Sequence, residues 1–371
     1  MEYIKLNQVC AITMGQSPNS DSYNEDGEGV PFYQGNADFG EKYPIPRNWC
    51  TNPKKYADPE DILISVRAPI GALNYSKEKC CIGRGLAAIK PNIEKVLPEY
   101  VYLFLKSKKR ELNRKGTGST FKAISKKVLE EVLIPQLSIE NQKDCVDKLL
   151  IIEKIIRTKK QELNYLDLLI KARFVEMFGD PILNPKGWDV KPVGTICDYM
   201  VPGRDKPKSF TGDIPWITID DLVVNGVTME SKSKVGLTQD EIKLVKRKTV
   251  PVGSVLMSCV GNLGICSVAG KEMVINQQLH SFQCKNVINN VFLMYCLDKR
   301  KDYMKKYASS TTVLYMNKSI CNSIPIIVPP IELQNQFSYI VKQVDKSKVA
   351  IQKSLDETQL LFDSLMQKYF G

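Results

Sequence analysis

Hydrophobic residues along this chain are most regular in two stretches, where they recur at alternating steps of four and three positions. Eight of the ten positions in the first stretch are apolar: Cys145, Leu149, Ile152, Ile156, Lys159, Leu163, Leu166, Ile170, Arg173 and Met177. A shift of 192 positions gives a second set, again with eight apolar members: Phe337, Val341, Val344, Lys348, Ile351, Leu355, Thr358, Phe362, Leu365 and Tyr369. This spacing predicts two helices of roughly 35 residues, each about 50 Å long, that pair as an antiparallel coiled coil. Separate packing of each helix on its own globular region is the alternative.

The region before each helix has a different pattern. Short apolar runs at 30–33, 61–66 and 85–89 are followed by glycine or proline, which is typical of strands bounded by turns. Residues 98–112 predict one short helix that ends in basic residues. The predicted fold class is therefore α+β, with two tandem globular domains separated by two long helices that form an antiparallel coiled coil.

The chain repeats itself. Residues 62–89 align with 255–282 at a constant shift of 193, with five identical pairs: Leu63/Leu256, Ser65/Ser258, Gly71/Gly264, Ile82/Ile275 and Leu86/Leu279. Further matches flank this block in the same order: 31–33 with 215–217, 101–103 with 291–293, 116–120 with 308–312, 134–135 with 328–329, 141–142 with 335–336, and 177–179 with 369–371. Such order predicts two copies of one module. The predicted domains are 1–140, a helix at 141–180, 181–333, and a helix at 334–371. The alignment of the two copies slips by two residues just after 336. The phase of the four–three pattern at the start of the second helix therefore stays open.

Charge and composition narrow the function classes. The 371 residues carry a net charge of +11, and the stretch 100–127 holds nine Lys or Arg against one acid. Such a stretch favours a polyanionic partner, although a solvated helix face would also explain it. No apolar run approaches the ~20 residues of a membrane span, and no signal layout is present, so we expect a cytoplasmic protein. The eleven scattered cysteines predict buried reduced thiols, and no zinc-ligand spacing occurs.

The motifs of the common nucleic-acid enzymes are missing. The sequence has no phosphate-binding Gly-rich loop ending in Gly-Lys-Ser/Thr, and no Asn/Asp-Pro-Pro-Tyr/Phe loop of a DNA amino-methyltransferase. Asp58, Glu60 and Asp61 cluster, but the following strand offers Ser65 and Arg67 rather than the acid and lysine of a metal-dependent nuclease. We therefore expect a protein without catalytic residues of its own.

Several segments resemble the specificity subunit of type I restriction-modification enzymes. In the first copy these are Gly-Thr-Gly-Ser-Thr-Phe-Lys at 116–122, Ile-Pro-Gln-Leu-Ser-Ile-Glu-Asn-Gln at 134–142, and the strand at 62–67. In the second copy they are Ser-Thr-Thr at 310–312, the run at 327–336, Gly-Asn-Leu-Gly at 261–264, and Asn-Gln-Gln at 276–278. The second copy departs in having Ala308-Ser309-Ser310 where the first has Gly116-Thr117-Gly118.

The resemblance implies a role and its partners. Two target-recognition domains would each bind one half of a split, asymmetric site in double-stranded DNA, and the two helices would set the gap between the halves. The subunit would dock two methyltransferase subunits, which restriction subunits can join. S-adenosylmethionine would bind the methyltransferase subunits, so no cofactor is expected on this chain. Two alternatives stay open: a specificity subunit for a partner that fuses cleavage and methylation, and a helical scaffold that presents two protein-binding domains.

Candidate DNA-contacting residues follow from their chemistry. Side chains able to pair with base edges on predicted loops are Arg67, Arg84, Asn262, Gln277, Gln278 and His280. Residues expected to contact phosphates are Lys122, Lys126 and Lys318, which flank the Gly/Ser/Thr runs. Arg84 and Gln277 occupy matching positions, as expected if the two domains recognise different bases. Tyr33 and Trp216 also match, and we expect them in the core. Any of the base-contact candidates could instead be an ordinary turn or surface residue.

Overall fold

Two compact units make up the chain, and each combines a globular part with half of each long helix. The computed structural model describes these residues: 2–118, 122–203, 205–310 and 313–371. Unit 1 comprises Met1–Lys160 and Lys353–Gly371, and unit 2 comprises Gln161–Gln352. The predicted domain boundaries follow the sequence repeat rather than these packing units, and they stay a prediction.

The globular part of unit 1 is built mainly of short strands. Its strands are β1 (Tyr3–Lys5), β2 (Cys10–Met14), β3 (Tyr23–Asn24), β4 (Val30–Tyr33), β5 (Trp49–Cys50), β6 (Tyr56–Ala57), β7 (Ile62–Ser65), β8 (Leu73–Tyr75), β9 (Cys80–Ile82), β10 (Leu86–Pro91) and β11 (Leu133–Pro135). Its helices are α1 (Pro98–Ser107), α2 (Lys109–Lys115), α3 (Lys126–Glu130) and the start of α4 (Ile139–Phe178). The main sheets have the orders β2-β10-β7-β8 and β3-β5-β4-β9-β6, and β1 pairs with β11.

Unit 2 repeats this plan. Its strands are β12 (Asp189–Pro192), β13 (Cys197–Met200), β14 (Ile214–Ile217), β15 (Val227–Thr228), β16 (Gly236–Leu237), β17 (Val255–Ser258), β18 (Cys266–Ala269), β19 (Val274–Ile275), β20 (Leu279–Cys284), β21 (Ser309–Ser310), β22 (Leu314–Tyr315) and β23 (Pro325–Val328). Its helices are α5 (Val193–Ile196), α6 (Gln239–Leu244), α7 (Asn290–Asp298), α8 (Lys301–Tyr307), α9 (Lys318–Asn322) and part of α10 (Ile331–Phe370). The order β13-β20-β17-β18 matches β2-β10-β7-β8 of unit 1.

The predicted strands and the α+β class are confirmed. Strand β4 spans the predicted run at 30–33, and β7 and β10 cover the other two. Tyr33 and Trp216 are buried, as expected for core residues. The single helix predicted over 98–112 is wrong, because α1 ends at Ser107 and α2 begins at Lys109. The backbone of Lys108 leaves the helical conformation between them, at φ −84° and ψ 0°.

The long helices α4 and α10 pair in antiparallel orientation within each unit. In unit 1, Ile156 and Phe362 line one groove, and Phe370 packs on Tyr100 next to the start of α4. In unit 2, Lys348 binds Asp167 at 2.7 Å, and Phe174 contacts Phe337 with ring centroids 5.4 Å apart. Each helix has 40 residues and is therefore about 60 Å long, longer than predicted.

The predicted seam fails near the C-terminal end of both helices. Arg173 is exposed, and the buried residue is its neighbour Phe174. In α10 the most buried residues near the end are Met366 and Phe370 rather than Leu365 and Tyr369. Steps of four replace the four–three alternation because the last turns pack on a globular core instead of a narrow helix seam. Phe178 lies 4.6 Å from Phe292 between ring centroids, and Phe370 lies 5.2 Å from Tyr100.

The relation between the copies is simpler than the sequence alignment suggested. The shift is 192 from residue 97 onward, with no slip at the start of the second helix. The Gln142 Oε1 atom accepts from the Leu97 N–H, and the Gln334 Oε1 atom accepts from the Asn289 N–H, both at 2.8 Å. Gln142 therefore corresponds to Gln334 and not to Gln336. The matches of 101–103 with 291–293 and of 134–135 with 328–329 are likewise wrong by two residues, since short similar stretches at the wrong offset resembled each other.

Candidate nucleic-acid interface

Three backbone segments meet at one edge of the sheet in unit 1. The Val66 N–H donates to the Gly85 carbonyl at 2.9 Å, which joins the end of β7 to the turn between β9 and β10. The Ile124 N–H donates to the Val66 carbonyl at 2.9 Å, and the Ala68 N–H donates to the Lys122 carbonyl at 3.0 Å. We call residues 66–72, 83–85 and 122–126 interface 1. It carries four of the candidate residues: Arg67, Arg84, Lys122 and Lys126.

Unit 2 has the same arrangement. The Cys259 N–H donates to the Gln278 carbonyl at 2.8 Å, and the Met316 N–H donates to the Cys259 carbonyl at 2.9 Å. The Gly261 N–H donates to the Leu314 carbonyl at 2.8 Å. We call residues 259–265, 276–278 and 314–318 interface 2. It carries four of the candidates: Asn262, Gln277, Gln278 and Lys318. His280 follows it in β20.

A buried serine shapes the main loop of each interface. The Ser65 hydroxyl donates to the Pro69 carbonyl at 2.7 Å and accepts from the Ala72 N–H at 2.8 Å. Ser258 does the same with the Asn262 carbonyl at 2.6 Å and the Ile265 N–H at 2.8 Å. These two bonds close the loop on itself and fix its conformation. The sequence signal for this role was the identity of the serine in both copies.

The two arginines of interface 1 are exposed and available. Arg67 directly follows the buried strand β7, and Arg84 lies in the turn between β9 and β10. Within the described residues, no carboxylate oxygen lies within 4 Å of either guanidinium. A guanidinium without an acidic partner keeps its donors free for the O6 and N7 acceptors of guanine.

The amides of interface 2 differ in how they are held. Asn262 is exposed at the tip of its loop. Gln278 is half-buried. It is held by Asn276, because its Oε1 atom accepts from Asn276 Nδ2 at 2.8 Å and its N–H donates to Asn276 Oδ1 at 3.0 Å. Gln277 is half-buried beside it. The fold therefore gathers these three amides on one interface, as Arg67 and Arg84 are gathered on the other.

His280 lies inside the fold rather than on the surface. Its side chain is 1% exposed, and its ring contacts Phe282 at 4.6 Å and Tyr199 at 5.9 Å between centroids. The Nε2–H donates to the Asn322 Oδ1 atom at 3.1 Å, since an amide oxygen can only accept. The pKa of His280 is lowered to about 4, mainly by burial and to a smaller extent by nearby Lys318, while the hydrogen bond to Asn322 acts in the opposite direction. A neutral imidazole at this depth supports Asn322 and has no open path to a base.

The three candidate phosphate contacts are all exposed lysines. Residues 119–121, just before Lys122, and residues 311–312, six positions before Lys318, lie outside the described residues. They include parts of the Gly/Ser/Thr runs at 116–120 and 308–312. Lys126 pairs with Glu130 at 3.4 Å, whereas the Lys318 ammonium lies 4.7 Å above the Tyr199 ring. No sequence pattern pointed to Glu130, Asn322 or Tyr199, although the shift of 192 pairs Glu130 with Asn322.

Metal sites and reactive thiols are the other kinds of chemistry that a chain with eleven cysteines could carry. Over the part of the chain that the structure describes, no three His, Cys, Asp or Glu side chains come together as a metal site would require. Ten of the cysteines are buried and Cys284 is half-buried. Burial raises the pKa of the Cys10 and Cys145 thiols to about 12, which keeps them protonated at neutral pH. Among the described residues, no helix combines the length and the apolar character that crossing a membrane takes.

Similar proteins fit this architecture. The curated relatives include the MjaX specificity subunit of Methanocaldococcus jannaschii, which is 50% identical over 151 residues, 41% of this chain and 36% of that protein. The chain therefore spans about a third of that relative. The MjaIX specificity subunit of the same organism is 26% identical over 337 residues, 83% of this chain and 76% of its own length.

Solved structures share the fold over the whole chain. The S subunit of a type I restriction-modification system from M. genitalium superposes with a TM-score of 0.64 at 15% identity and covers 100% of this chain and 96% of that one. A second structure, described as showing assembly and conformational transition of the type I system, gives 0.62 at 19% identity and covers 100% and 97%.

The family assignment rests on a match to both copies. A family model described as the type I restriction modification DNA specificity domain matches residues 1–167 and again residues 185–358. The two matches cover most of the chain, and each contains one of the two interfaces. The chain therefore belongs to the family of type I restriction-modification DNA specificity domains and carries two copies of that domain.

Proposed function

We propose that this chain is the sequence-specific DNA-recognition subunit of a type I restriction-modification complex, and that each copy binds one half of a bipartite asymmetric site. One observation carries the proposal. Interfaces 1 and 2 share the same backbone hydrogen bonds but present different side chains at matching positions, Arg84 opposite Gln277 and Arg67 opposite Val260. A backbone arrangement that both copies share, carrying different hydrogen-bond donors and acceptors in each copy, suits recognition of two different base sequences.

The nine candidate residues take different parts in this proposal. Arg67, Arg84 and Asn262 contact base edges directly, since they are exposed on the loops. Gln277 and Gln278 contact bases from the turn before β20. His280 acts through Asn322, because its ring is buried. Lys122 and Lys318 contact phosphates, which positions the protein on the duplex without selecting sequence. Lys126 lies beside them on the phosphate side but contributes less, because it pairs with Glu130.

The partners in the proposal are two methyltransferase subunits, which restriction subunits can join, in the cytoplasm. Apolar side chains on the outside of the long helices support docking. Leu150, Ile151 and Ile155 are 42%, 60% and 40% exposed in unit 1, and Leu168 is 56% exposed in unit 2. Exposed apolar surface of this kind is typical of protein-binding sites. The helices also set the gap between the two half-sites.

In this proposal catalysis belongs to the partner. S-adenosylmethionine binds the methyltransferase subunit, and this chain supplies neither cofactor nor catalytic residue. The test is transfer of a labelled methyl group from S-adenosylmethionine to a pool of DNA duplexes. We expect no transfer by the purified chain alone, and transfer confined to a defined sequence when the methyltransferase partner is added. Methyl transfer by the single chain, or sequence-independent transfer by the pair, would contradict the proposal.

A further inference from the structure

A groove beside interface 2 has the composition of an anion site. It has a volume of about 680 Å³ and is lined by Pro192, Gly194, Thr195, Tyr199, Asn317, Lys318, Ser319, Asn322 and Ser323. The lining contains hydroxyl and amide groups, one ammonium and no carboxylate. Met316, two residues before Lys318, is bonded to the Cys259 carbonyl of the main loop. The groove therefore borders the surface on which bases are proposed to be recognised.

Lys318 is held over this groove without losing its charge. Its ammonium lies 4.7 Å above the ring of Tyr199, and no carboxylate oxygen among the described residues lies within 4 Å of it. A cation–π contact orients an ammonium but does not neutralise it. Asn322 faces the same groove, and His280 fixes its amide oxygen with a hydrogen bond of 3.1 Å. The Asn322 Nδ2 group is thereby the end of the amide that can donate to a ligand.

The matching place in unit 1 has the opposite electrostatics. The shift of 192 places Lys126 opposite Lys318 and Glu130 opposite Asn322. The Lys126 ammonium lies 3.4 Å from the Glu130 carboxylate. The pair is solvent-exposed, so it adds little stability, but its carboxylate remains beside any phosphate that approaches Lys126. The Lys126–Glu130 pair therefore carries no net charge, whereas Lys318 and Asn322 together carry one positive charge.

We propose that the groove of Lys318, Tyr199 and Asn322 is a binding site for the DNA phosphodiester backbone, and that unit 1 lacks an equivalent because Glu130 cancels Lys126. The two copies would then contribute unequally to DNA affinity. The Lys318 groove of unit 2 would add more sequence-independent affinity than the matching surface of unit 1. The inference rests on the proposed function, since it presupposes that the interfaces face DNA.

The test is the salt dependence of binding of the full chain to a duplex of random sequence. Each phosphate that a lysine neutralises contributes about one to the slope of log K against log[NaCl]. We expect Lys318→Gln to weaken binding to every duplex and to reduce the slope by about one, and Lys318→Arg to retain the wild-type slope. Lys126→Gln, the matched change in unit 1, should reduce the slope by clearly less than Lys318→Gln.

Removing the acid should create the missing site. We expect Glu130→Gln to strengthen binding and steepen the slope by about one, and Lys126→Gln added to it to abolish that gain. Thermal unfolding of each variant identifies any loss of fold. Equal effects of Lys318→Gln and Lys126→Gln, or no effect of Glu130→Gln, would overturn the inference while DNA binding itself persists. Absence of salt-dependent binding by the wild-type chain would overturn the proposed function instead.

Discussion

His280 is the most deeply buried of the nine candidate residues. It is the chain's only histidine, and burial among Phe282, Tyr199 and the β20 strand keeps its imidazole neutral. Its Nε2–H bonds the Asn322 amide oxygen at the edge of the Lys318 groove. Ala87 occupies the matching position in unit 1, where Glu130 stands in place of Asn322.

The buried imidazole predicts a pH dependence of stability. The pKa of His280 is about 4 in the folded chain and about 6.5 when unfolded, so the unfolded state binds the proton more readily between these values. Its contribution to stability is complete above pH 6.5 and is lost as the pH falls towards 4. At pH 5 the loss is about 2 kcal/mol.

Urea unfolding at pH 7 and pH 5 measures this effect, with His280→Gln as the control that cannot titrate. We expect the free energy of unfolding of the wild-type chain to fall by about 2 kcal/mol more than that of the variant. Because there is one histidine, the difference belongs to this site. The same pH dependence in both proteins would show that folding does not shift the pKa of His280.

At the scale of elements, each long helix is tied to the globular part before it by one buried glutamine. Gln142 is 2% exposed, and its amide group makes three hydrogen bonds. The Oε1 atom accepts from the Leu97 N–H at the N-cap of α1, and the Nε2 group donates to the Lys95 and Leu137 carbonyls. Gln334 makes the corresponding three bonds in unit 2. One side chain thus fixes where α4 begins relative to α1.

Removing this tie should destabilise the chain measurably. Gln142→Ala leaves one N–H and two carbonyls without their partner, and we expect a loss of about 1–3 kcal/mol in the free energy of unfolding. The neighbouring Asn141→Ala is the control, because Asn141 is exposed. Chemical denaturation of both variants gives the comparison. If Gln142→Ala costs no more than Asn141→Ala, the buried amide is not what joins the two helices.

The long helices show which contacts the hydrophobic spacing of the sequence could predict and which it could not. The four–three spacing predicted both long helices because α4 and α10 pack along each other, as Ile156 and Phe362 do. It failed at Arg173 and Leu365, because there the helix ends pack on Phe292 and Tyr100, which a helix-to-helix pattern does not describe. The copies aligned wrongly around Gln142 because similar stretches recur two residues away, and only the hydrogen bonds to Leu97 and Asn289 fix the correspondence.

For the whole molecule, the sequence duplication explains which features of the two interfaces could be predicted from the sequence and which could not. The repeat predicted two matching interfaces, and the fold gathers Arg67 and Arg84 in one, and Asn262, Gln277 and Gln278 in the other. Their positions beside the Gly/Ser/Thr runs favoured Lys126 and Lys318 equally. The difference between them depends on Glu130 and Tyr199, which approach only once α3 and α9 are folded. The Tyr199 contact joins β13 to α9 and is not visible in a linear pattern, whereas the Lys126–Glu130 pair has i,i+4 spacing but depends on the short helix α3, which the sequence pattern did not predict.

We propose that the two copies recognise two different half-sites. Selection of duplexes from a random pool by the full chain, followed by sequencing, measures this. We expect two enriched half-sites separated by a fixed, unselected gap. Arg84→Ala should cost about 1–3 kcal/mol at one base pair and relax selection in one half-site only, and Gln277→Ala should relax selection only in the other. A single uninterrupted motif, or variants that relax the same half-site, would contradict it.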